Sequence, residues 1–159
     1  MKIEPLTLDR IGEVIALMTL GAPFVRVRTE SDYWLYAQLF SGTCPISLDD
    51  DGAVTGCIIA FRSQDEPDDV YIQDVMVHPD RRRQGIAAML LASVRNVAET
   101  LGCRRLYLTS EPENTAAHAA WTSRGFVNVP GDDIHDGVWI IRDFKGPGRD
   151  RAVYELRLP

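Results

Sequence analysis

The sequence predicts an α/β (α+β) fold in which about seven strands form one mixed sheet covered by about four helices. Short runs rich in β-branched and aromatic residues alternate with amphipathic helical patterns, without a regular βα order. The 159 residues are enough to build one sizeable hydrophobic core. No repeat, low-complexity segment or linker divides the sequence. We therefore expect a single domain over residues 1–159.

The first half of the chain is expected to form two helices and three strands. KIEPLT predicts a short strand, and DRIGEVIALMTL has apolar residues at helical spacing until Gly21 stops the helix. Ser31 is the expected N-cap of a second helix from Asp32 to Phe40. The apolar runs CPISL and AVTGCIIAF flank Asp51-Gly52, a dipeptide typical of hairpin turns, so they predict two antiparallel strands.

The second half alternates strands and helices. VYIQDVMV predicts a strand that ends at His78-Pro79, and RQGIAAMLLASVRNVAETLG has the strongest helical pattern, closed by Gly102. RRLYLTS predicts the next strand. NTAAHAAWTSRG predicts a helix that begins near Asn114 and ends before Gly125. GVWIIRDF and AVYELRL predict two closing strands joined by the turn-rich KGPGRD.

The composition excludes several classes of function. The formal net charge is −6 at pH 7, which argues against nucleic acid or a membrane surface as a partner. Cys44, Cys57 and Cys103 are an odd number without a CxxC pair, so we expect reduced thiols and no metal site. No segment resembles a signal peptide or reaches the length of a membrane span. These features predict a cytoplasmic protein.

The densest basic cluster of this acidic chain lies at the start of its strongest helix, in HPDRRRQGIAAML. A helix start offers unpaired N–H groups and a partial positive charge, which suit an anion. Gly85 lets the backbone approach a ligand closely, and Arg82 and Arg83 add positive charge. The segment therefore predicts a phosphate-binding turn, although a solvated basic loop is an alternative for the same residues. The GxGxxG and Walker patterns are absent.

The segment RRQGIA, residues 82–87, resembles the Q/R-x-x-G-x-G/A signature of the GNAT superfamily of acyl-CoA-dependent N-acetyltransferases. VMVHP before it resembles the family's preceding strand, and ENTAAHAAWTSRGF resembles the family's closing motif. The resemblance covers residues 53–127. It implies a mostly antiparallel sheet whose fourth and fifth strands splay apart, and it implies acetyl-CoA (coenzyme A) as co-substrate.

The resemblance also implies which residues bind the cofactor. The strand before the signature would pair through its backbone with the pantetheine arm, and the helix start would hold the pyrophosphate. Asn114 would contact the arm, although a plain helix cap is an alternative for this residue. The expected cofactor-binding residues are Val75, Met76, Val77, Arg82, Arg83, Gln84, Gly85, Ile86, Ala87, Ala88, Asn114 and Ala117.

The resemblance implies that a primary amine attacks the thioester directly in a ternary complex, but the sequence departs from the family at two positions. Trp121 replaces a tyrosine that serves many members as general acid, and Thr109 replaces a glutamate that serves some members as base. An indole N–H donates a hydrogen bond without giving up its proton. Since an alkyl amine has a pKa of about 10.4, another group must collect its proton.

The candidate catalytic residues are therefore Asp74, His118 and Trp121. His118 shares a helix stripe with Trp121, and a histidine in that place is a candidate to exchange protons with the reacting groups, but it also fits a packed core residue. Asp74 would receive the proton of the amine or form a structural ion pair, and strand alternation puts Gln73 on the opposite face. Asp74 precedes a stretch, residues 75–77, that we expect to be prone to bulge. Tyr154 on the last strand is a further alternative.

Residues 19–36 are expected to line the acceptor side, as the corresponding segment does in the family. The expected substrate-binding residues are Phe24, Tyr33 and Trp34, whose rings would form an apolar wall. The acidic runs at 49–51, 65–69 and 132–136 are interpreted as solvated turns, with a cationic acceptor as the alternative.

We therefore expect an N-acetyltransferase for a primary amine, of a small molecule, working as a monomer or homodimer. Two alternatives remain at this point. One is a CoA-binding sensor without turnover, and the other is a protein lysine or N-terminal acetyltransferase.

Overall fold

Nine strands and four α-helices form the structure, a computed structural model that describes all residues 1–159. The strands are β1 (Lys2–Pro5), β2 (Pro45–Leu48), β3 (Val54–Arg62), β4 (Asp69–Val77), β5 (Arg105–Ser110), β6 (Val127–Asn128), β7 (Asp133–His135), β8 (Val138–Ile140) and β9 (Ala152–Arg157). The helices are α1 (Ile11–Thr19), α2 (Glu30–Leu39), α3 (Ile86–Thr100) and α4 (Thr115–Thr122). No helix combines the length and apolar character that a membrane-spanning segment requires.

Seven of the strands form one mixed sheet in the order β1-β2-β3-β4-β5-β9-β6. Only the central β4–β5 pair is parallel, and all other neighbours are antiparallel. The predicted fold class is confirmed.

The last part of the chain differs from the prediction. GVWIIRDF contributes only the three-residue β8, which pairs with β7 in a separate two-stranded sheet, and a single bridge from Ile141 to Arg151 links this segment to the start of β9. Neither β6 nor β7 was predicted. Both are very short, and β7 is exposed on every residue, so neither shows the alternation of apolar and polar residues that marks a half-buried strand.

The two faces of the main sheet carry separate hydrophobic clusters. The α3 cluster joins one face of the sheet to buried α3 side chains such as Leu90 and Val94. The α1–α2 cluster joins the other face to Val14, Met18 and Tyr33. The sheet is therefore a middle layer between helices. Because both of its faces are covered, a binding site is expected at the ends of its strands, next to the loops that follow β4 and β5.

The second helix begins earlier than predicted. Its N-cap is Thr29, not Ser31: the Thr29 hydroxyl accepts from the Asp32 N–H at 3.1 Å, and the Asp32 carboxylate accepts from the Thr29 N–H at 3.1 Å. This reciprocal capping box satisfies two N–H groups at once, whereas Ser31 lies inside the first turn.

A β-bulge interrupts the pairing of β4 with β3. Asp74 pairs with Ile59 and Ile72 pairs with Ala60, so Gln73 is an extra residue on β4. The bulge thus lies just before the segment in which the sequence suggested it. An extra residue reverses the alternation of side chains beyond it.

The bulge brings two polar side chains to the same face. Gln73 faces α2, where its Nε2 donates to the Tyr36 hydroxyl at 3.2 Å. Asp74 also lies on this face, where its charge acts on the buried Tyr33, and Met76 continues there into the α1–α2 cluster. The prediction that Gln73 and Asp74 point to opposite faces is therefore wrong, because simple alternation does not survive a bulge.

The parallel pairing of β4 with β5 ends at Ile72 and Leu108, although β4 continues to Val77 and β5 to Ser110. Beyond this point the two strands diverge, as the resemblance implied. The edge of β4 that faces β5 is then without a strand partner over residues 73–77. A cleft opens in the middle of the sheet at this position.

Candidate active site

A cleft of about 310 Å³ lies between the diverging ends of β4 and β5. Five segments build its walls: the α1–α2 loop, the bulged part of β4, the end of β5, α4, and the loop between β8 and β9. The cleft brings together seven of the residues that the sequence singled out, which are Phe24, Asp74, Val75, Thr109, Asn114, Ala117 and Trp121.

Asp74 is the buried acid of this cleft. Only 7% of the surface of Asp74 is exposed to solvent, and its Oδ2 has no hydrogen-bond partner in the protein. Burial raises the pKa of Asp74, and the positive charge of Arg28, the Gln73 side chain and the charge of Lys145 offset part of this effect. A buried carboxylate with a free oxygen and a raised pKa is suited to accept a proton.

The turn before α3 has the geometry of an anion site. Arg83 and Gly85 have positive φ values, 61° and 78°, and these conformations redirect successive N–H groups. None of the backbone N–H groups from Arg82 to Ala88 donates a hydrogen bond to another backbone or side-chain group. A Cβ placed on Gly85 would meet no atom within 4 Å, so the turn is open.

The arginines of this turn differ in their partners. Arg82 and Arg83 are exposed and form no ion pair, whereas Arg81 is bound to Asp49 at 3.0 Å. The acidic run at 49–51 therefore borders the basic turn and neutralises one of its arginines. The positive charge that remains next to the free N–H groups is that of Arg82 and Arg83.

The three β4 residues expected to pair with a cofactor divide between the faces of the sheet. The side chain of Val75 lines the cleft, Val77 packs against the α3 cluster, and Met76 is buried in the α1–α2 cluster. Their backbone edge toward β5 is without a strand partner.

Helix α4 presents Asn114, Ala117 and Trp121 to the cleft. Asn114 is also the N-cap of this helix, because its Oδ1 accepts from the Ala117 N–H at 3.3 Å. The indole of Trp121 packs edge-on against Phe126, with ring centroids 5.5 Å apart. Capping α4 and lining the cleft are thus compatible for Asn114, and its contact with the cofactor arm stays a prediction.

His118 is on the same helix but does not line the cleft. Its Nδ1 is 3.0 Å from the hydroxyl of Tyr154, which is 1% exposed and belongs to β9. The pair ties α4 to the sheet, and burial raises the pKa of Tyr154.

We expect His118→Ala to lower the free energy of unfolding by about 0.5–1.5 kcal/mol, since it removes the hydrogen bond between His118 and the buried Tyr154 hydroxyl. Urea denaturation measures this change, and steady-state kinetics with acetyl-CoA measure the effect on kcat. A large loss of kcat with unchanged stability would instead make His118 part of the chemistry.

The aromatic residues expected on the acceptor side are not brought together. Phe24 lines the cleft, but Trp34 lies on a separate shallow surface beside Leu8 and Ile11. Tyr33 is fully buried, and its burial raises its pKa to about 12. Its hydroxyl accepts a hydrogen bond from the Arg28 N–H at 3.3 Å.

Sequence reasoning missed the basic residues of the cleft. Its lining includes Arg26, Arg28, Lys145, Arg149 and Arg151. The signals were present as the alternating VRVR of residues 25–28 and as the basic residues of KGPGRDR, residues 145–151. Each segment by itself resembles an ordinary charged loop. Because the two segments are far apart in sequence, the sequence does not show that they line the same cleft.

Comparisons with known proteins agree with this geometry. The family model of the Acetyltransferase (GNAT) family matches residues 16–126. An L-2,4-diaminobutyric acid acetyltransferase of Streptomyces coelicolor is 32% identical over 113 residues, which are 65% of this chain and 66% of the relative. The matches to this and two further proteins of the same name span between half and two thirds of those relatives.

Solved structures share the fold over nearly the whole chain. The diaminobutyrate acetyltransferase of Paenibacillus lautus, in complex with its substrate and coenzyme A, is 22% identical with a TM-score of 0.74, over 98% of this chain and 93% of that one. The NatB acetyltransferase complex bound to CoA and MES is 16% identical with a TM-score of 0.80, over 100% of both chains.

Proposed function

Because the chain belongs to the GNAT family of acetyltransferases, we propose that it transfers an acetyl group from acetyl-CoA to the primary amine of a small molecule. The observation that carries this proposal is one continuous feature of β4. Its free edge borders a cleft with a buried acid, and the strand leads into a turn of free N–H groups. The diaminobutyric acid acetyltransferases among its relatives support a small amine as acceptor.

The residues of this chain fit acetyl-CoA at two places. The free N–H groups of residues 82–88 would receive the pyrophosphate, with Arg82 and Arg83 supplying positive charge beside them. The free edge of β4 at residues 73–77 would pair with the amide groups of the pantetheine arm. The cofactor supplies the activated acetyl group, and this chain supplies binding and proton transfer.

In the proposed reaction the amine nitrogen bonds to the thioester carbonyl carbon, the C–S bond breaks, and the amine loses one proton. Asp74 would receive that proton, because it lines the cleft, one of its carboxylate oxygens has no partner, and burial raises its pKa above that of an ordinary carboxyl group. The rate should therefore fall in acid as Asp74 becomes protonated.

The departing thiolate needs little help, since a thiol pKa of about 8.5 makes it a fair leaving group. Trp121 would then occupy the place of the family's tyrosine without donating a proton. We expect Trp121→Tyr to bind acetyl-CoA normally and to keep or raise kcat, because it retains a ring beside Phe126 and adds an ionisable hydroxyl.

Stopped-flow or steady-state measurement of kcat for Trp121→Tyr, with the dissociation constant of acetyl-CoA as control, checks this expectation. A loss of about tenfold or more in kcat at unchanged acetyl-CoA affinity would show that the indole shapes the acceptor site or contacts the sulfur.

A thiol-release assay tests the proposed function. Purified protein is incubated with acetyl-CoA and panels of small amines and peptides, and free CoA is titrated with a thiol reagent. We expect release with at least one small amine and acetylated amine by mass spectrometry. Tight binding without release would indicate a sensor, and release with peptides alone would indicate a protein acetyltransferase.

A further inference from the structure

The cleft carries an excess of positive charge on an acidic protein. Its lining has five basic residues but only two acids, Asp74 and Glu111. Glu111 is already paired with Arg26 at 3.3 Å, across the mouth of the cleft. The remaining basic residues, which have no carboxylate within ion-pair distance, are Arg28, Lys145, Arg149 and Arg151. The cleft is thus lined by four basic side chains without an ion-pair partner and by one unpaired acid, Asp74.

Arg28 is held in place but incompletely bonded. Its backbone N–H is anchored by the hydroxyl of the fully buried Tyr33. Its side-chain Nε is buried and has no hydrogen-bond partner. Among the other buried side-chain nitrogen and oxygen atoms, only Oδ2 of Asp74 also lacks a partner. Arg28 and Asp74 form no ion pair with each other. Arg28 and Asp74, which carry this buried donor and this buried acceptor, both line the cleft, and leaving both atoms unbonded is costly.

The loop between β8 and β9 brings the other cations to the same place. Lys145 lies over the ring of Tyr71, 5.2 Å from its centroid, and its charge acts on Asp74. Arg149 and Arg151 follow on the same loop and line the cleft. Positive charge thus reaches the cleft from two segments, one before α2 and one before β9.

We propose that the acceptor carries a carboxylate in addition to its reacting amine, and that Arg28 binds this carboxylate with help from Lys145, Arg149 and Arg151. This inference rests on the proposed function and specifies its substrate class. An amino carboxylate supplies an anionic group for the unpartnered Arg28 Nε and an amine whose proton Asp74 Oδ2 would receive. A guanidinium is also the side chain best shaped for a carboxylate.

Neither the phosphates of the cofactor nor a polycationic acceptor fits this positive charge as well as an amino carboxylate does. The phosphates of acetyl-CoA have their own basic turn before α3, whose Arg82 and Arg83 are not part of the cleft lining. A polycationic acceptor would meet four unpaired cations of like charge, which is unfavourable. The acidic runs of the chain do not offset this, since none of them lines the cleft.

The test compares amines that differ only by a carboxylate. Diaminobutyrate is paired with diaminopropane, ornithine with putrescine, and lysine with cadaverine, each with acetyl-CoA in the thiol-release assay. We expect the amino carboxylate of the best pair to have a kcat/KM about 10- to 100-fold higher than its decarboxylated partner, because charge-assisted hydrogen bonds are strong.

Two substitutions connect this preference to the cleft. Arg28→Gln and the exposed Arg149→Gln should each raise the KM for the amino carboxylate about tenfold or more, with the KM for acetyl-CoA unchanged. Each should also reduce the kcat/KM advantage of the amino carboxylate over its decarboxylated partner. Arg149→Gln is not expected to disturb folding. Arg142→Gln is the matched control, since Arg142 is on the same loop, is paired with Asp133 and does not line the cleft.

The outcomes separate this inference from the proposed function. Turnover without a preference for the carboxylate, or a preference that survives both substitutions, overturns the inference and leaves the acetyltransferase intact. Turnover confined to peptides overturns both the inference and the small-molecule acceptor of the proposed function. Binding of acetyl-CoA without transfer to any amine overturns the proposed function itself, and the inference with it.

Discussion

Gly85→Glu is expected to abolish binding of acetyl-CoA while the protein stays folded. The substitution places a carboxylate on the turn whose free N–H groups would receive the pyrophosphate. Juxtaposed like charges cost several kcal/mol in an interface, so the dissociation constant should rise by about 100-fold or more. Isothermal titration calorimetry measures the affinity directly. The rise in melting temperature that acetyl-CoA causes in the unmodified protein should disappear.

Gly102→Glu is the matched control for this prediction. Gly102 closes the other end of α3 with φ of 79°, and a Cβ there also meets no atom within 4 Å. Both variants therefore carry the same left-handed backbone strain of about 1–2 kcal/mol. Only Gly85→Glu should lose acetyl-CoA. If it bound the cofactor as well as Gly102→Glu does, the phosphate site would lie elsewhere on the protein.

Asp74→Asn is expected to lower kcat by about 10²–10⁴-fold, the usual contribution of a general base. The amide has nearly the same shape as the carboxyl group but cannot accept the proton. The affinity for acetyl-CoA should not change, and neither should the KM for the acceptor. A variant with normal kcat and a raised acceptor KM would show that Asp74 anchors an ammonium group and is not the base.

The same variant should separate catalysis from stability. Burial raises the pKa of Asp74, so the folded protein holds this proton more tightly than the unfolded chain. The free energy of unfolding is then lowered as the pH rises through the folded pKa, and the cost of the buried charge is present at neutral pH. Asp74→Asn removes that cost. We expect its melting temperature to equal or exceed that of the unmodified protein at neutral pH, with the difference shrinking in acid.

Asp65→Asn provides the control, since Asp65 is exposed in the loop before β4 and makes no hydrogen bond through its side chain. It should change neither kcat nor the pH dependence of stability. A loss of stability in Asp74→Asn at neutral pH would instead show that the attraction between the charges of Asp74 and Arg28 stabilises the fold. The combination of lost activity and retained stability is what distinguishes a group held for chemistry from one held for packing.

The sequence by itself determined the parts of this protein that depend on local interactions. The order of the main strands and helices follows from hydrophobic periodicity, because each pattern is contained within its own segment. The turns at Gly52 and Gly85 follow from backbone freedom, and both residues have positive φ. The basic turn before α3 and the cap at Asn114 are likewise local, since a helix start leaves its own N–H groups free.

Only the tertiary structure decided how these parts meet. The bulge at Gln73 depends on the register against β3, so local alternation could not reveal that Gln73 and Asp74 share a face. His118 and Tyr154 are paired because α4 packs on β9, which makes their bond a consequence of long-range packing. The charge of the cleft has the same origin: Arg28 and Arg149 come from distant segments, and each alone looks like a solvated loop residue. Proximity across the sheet is set by packing and register, and these are properties of the whole chain.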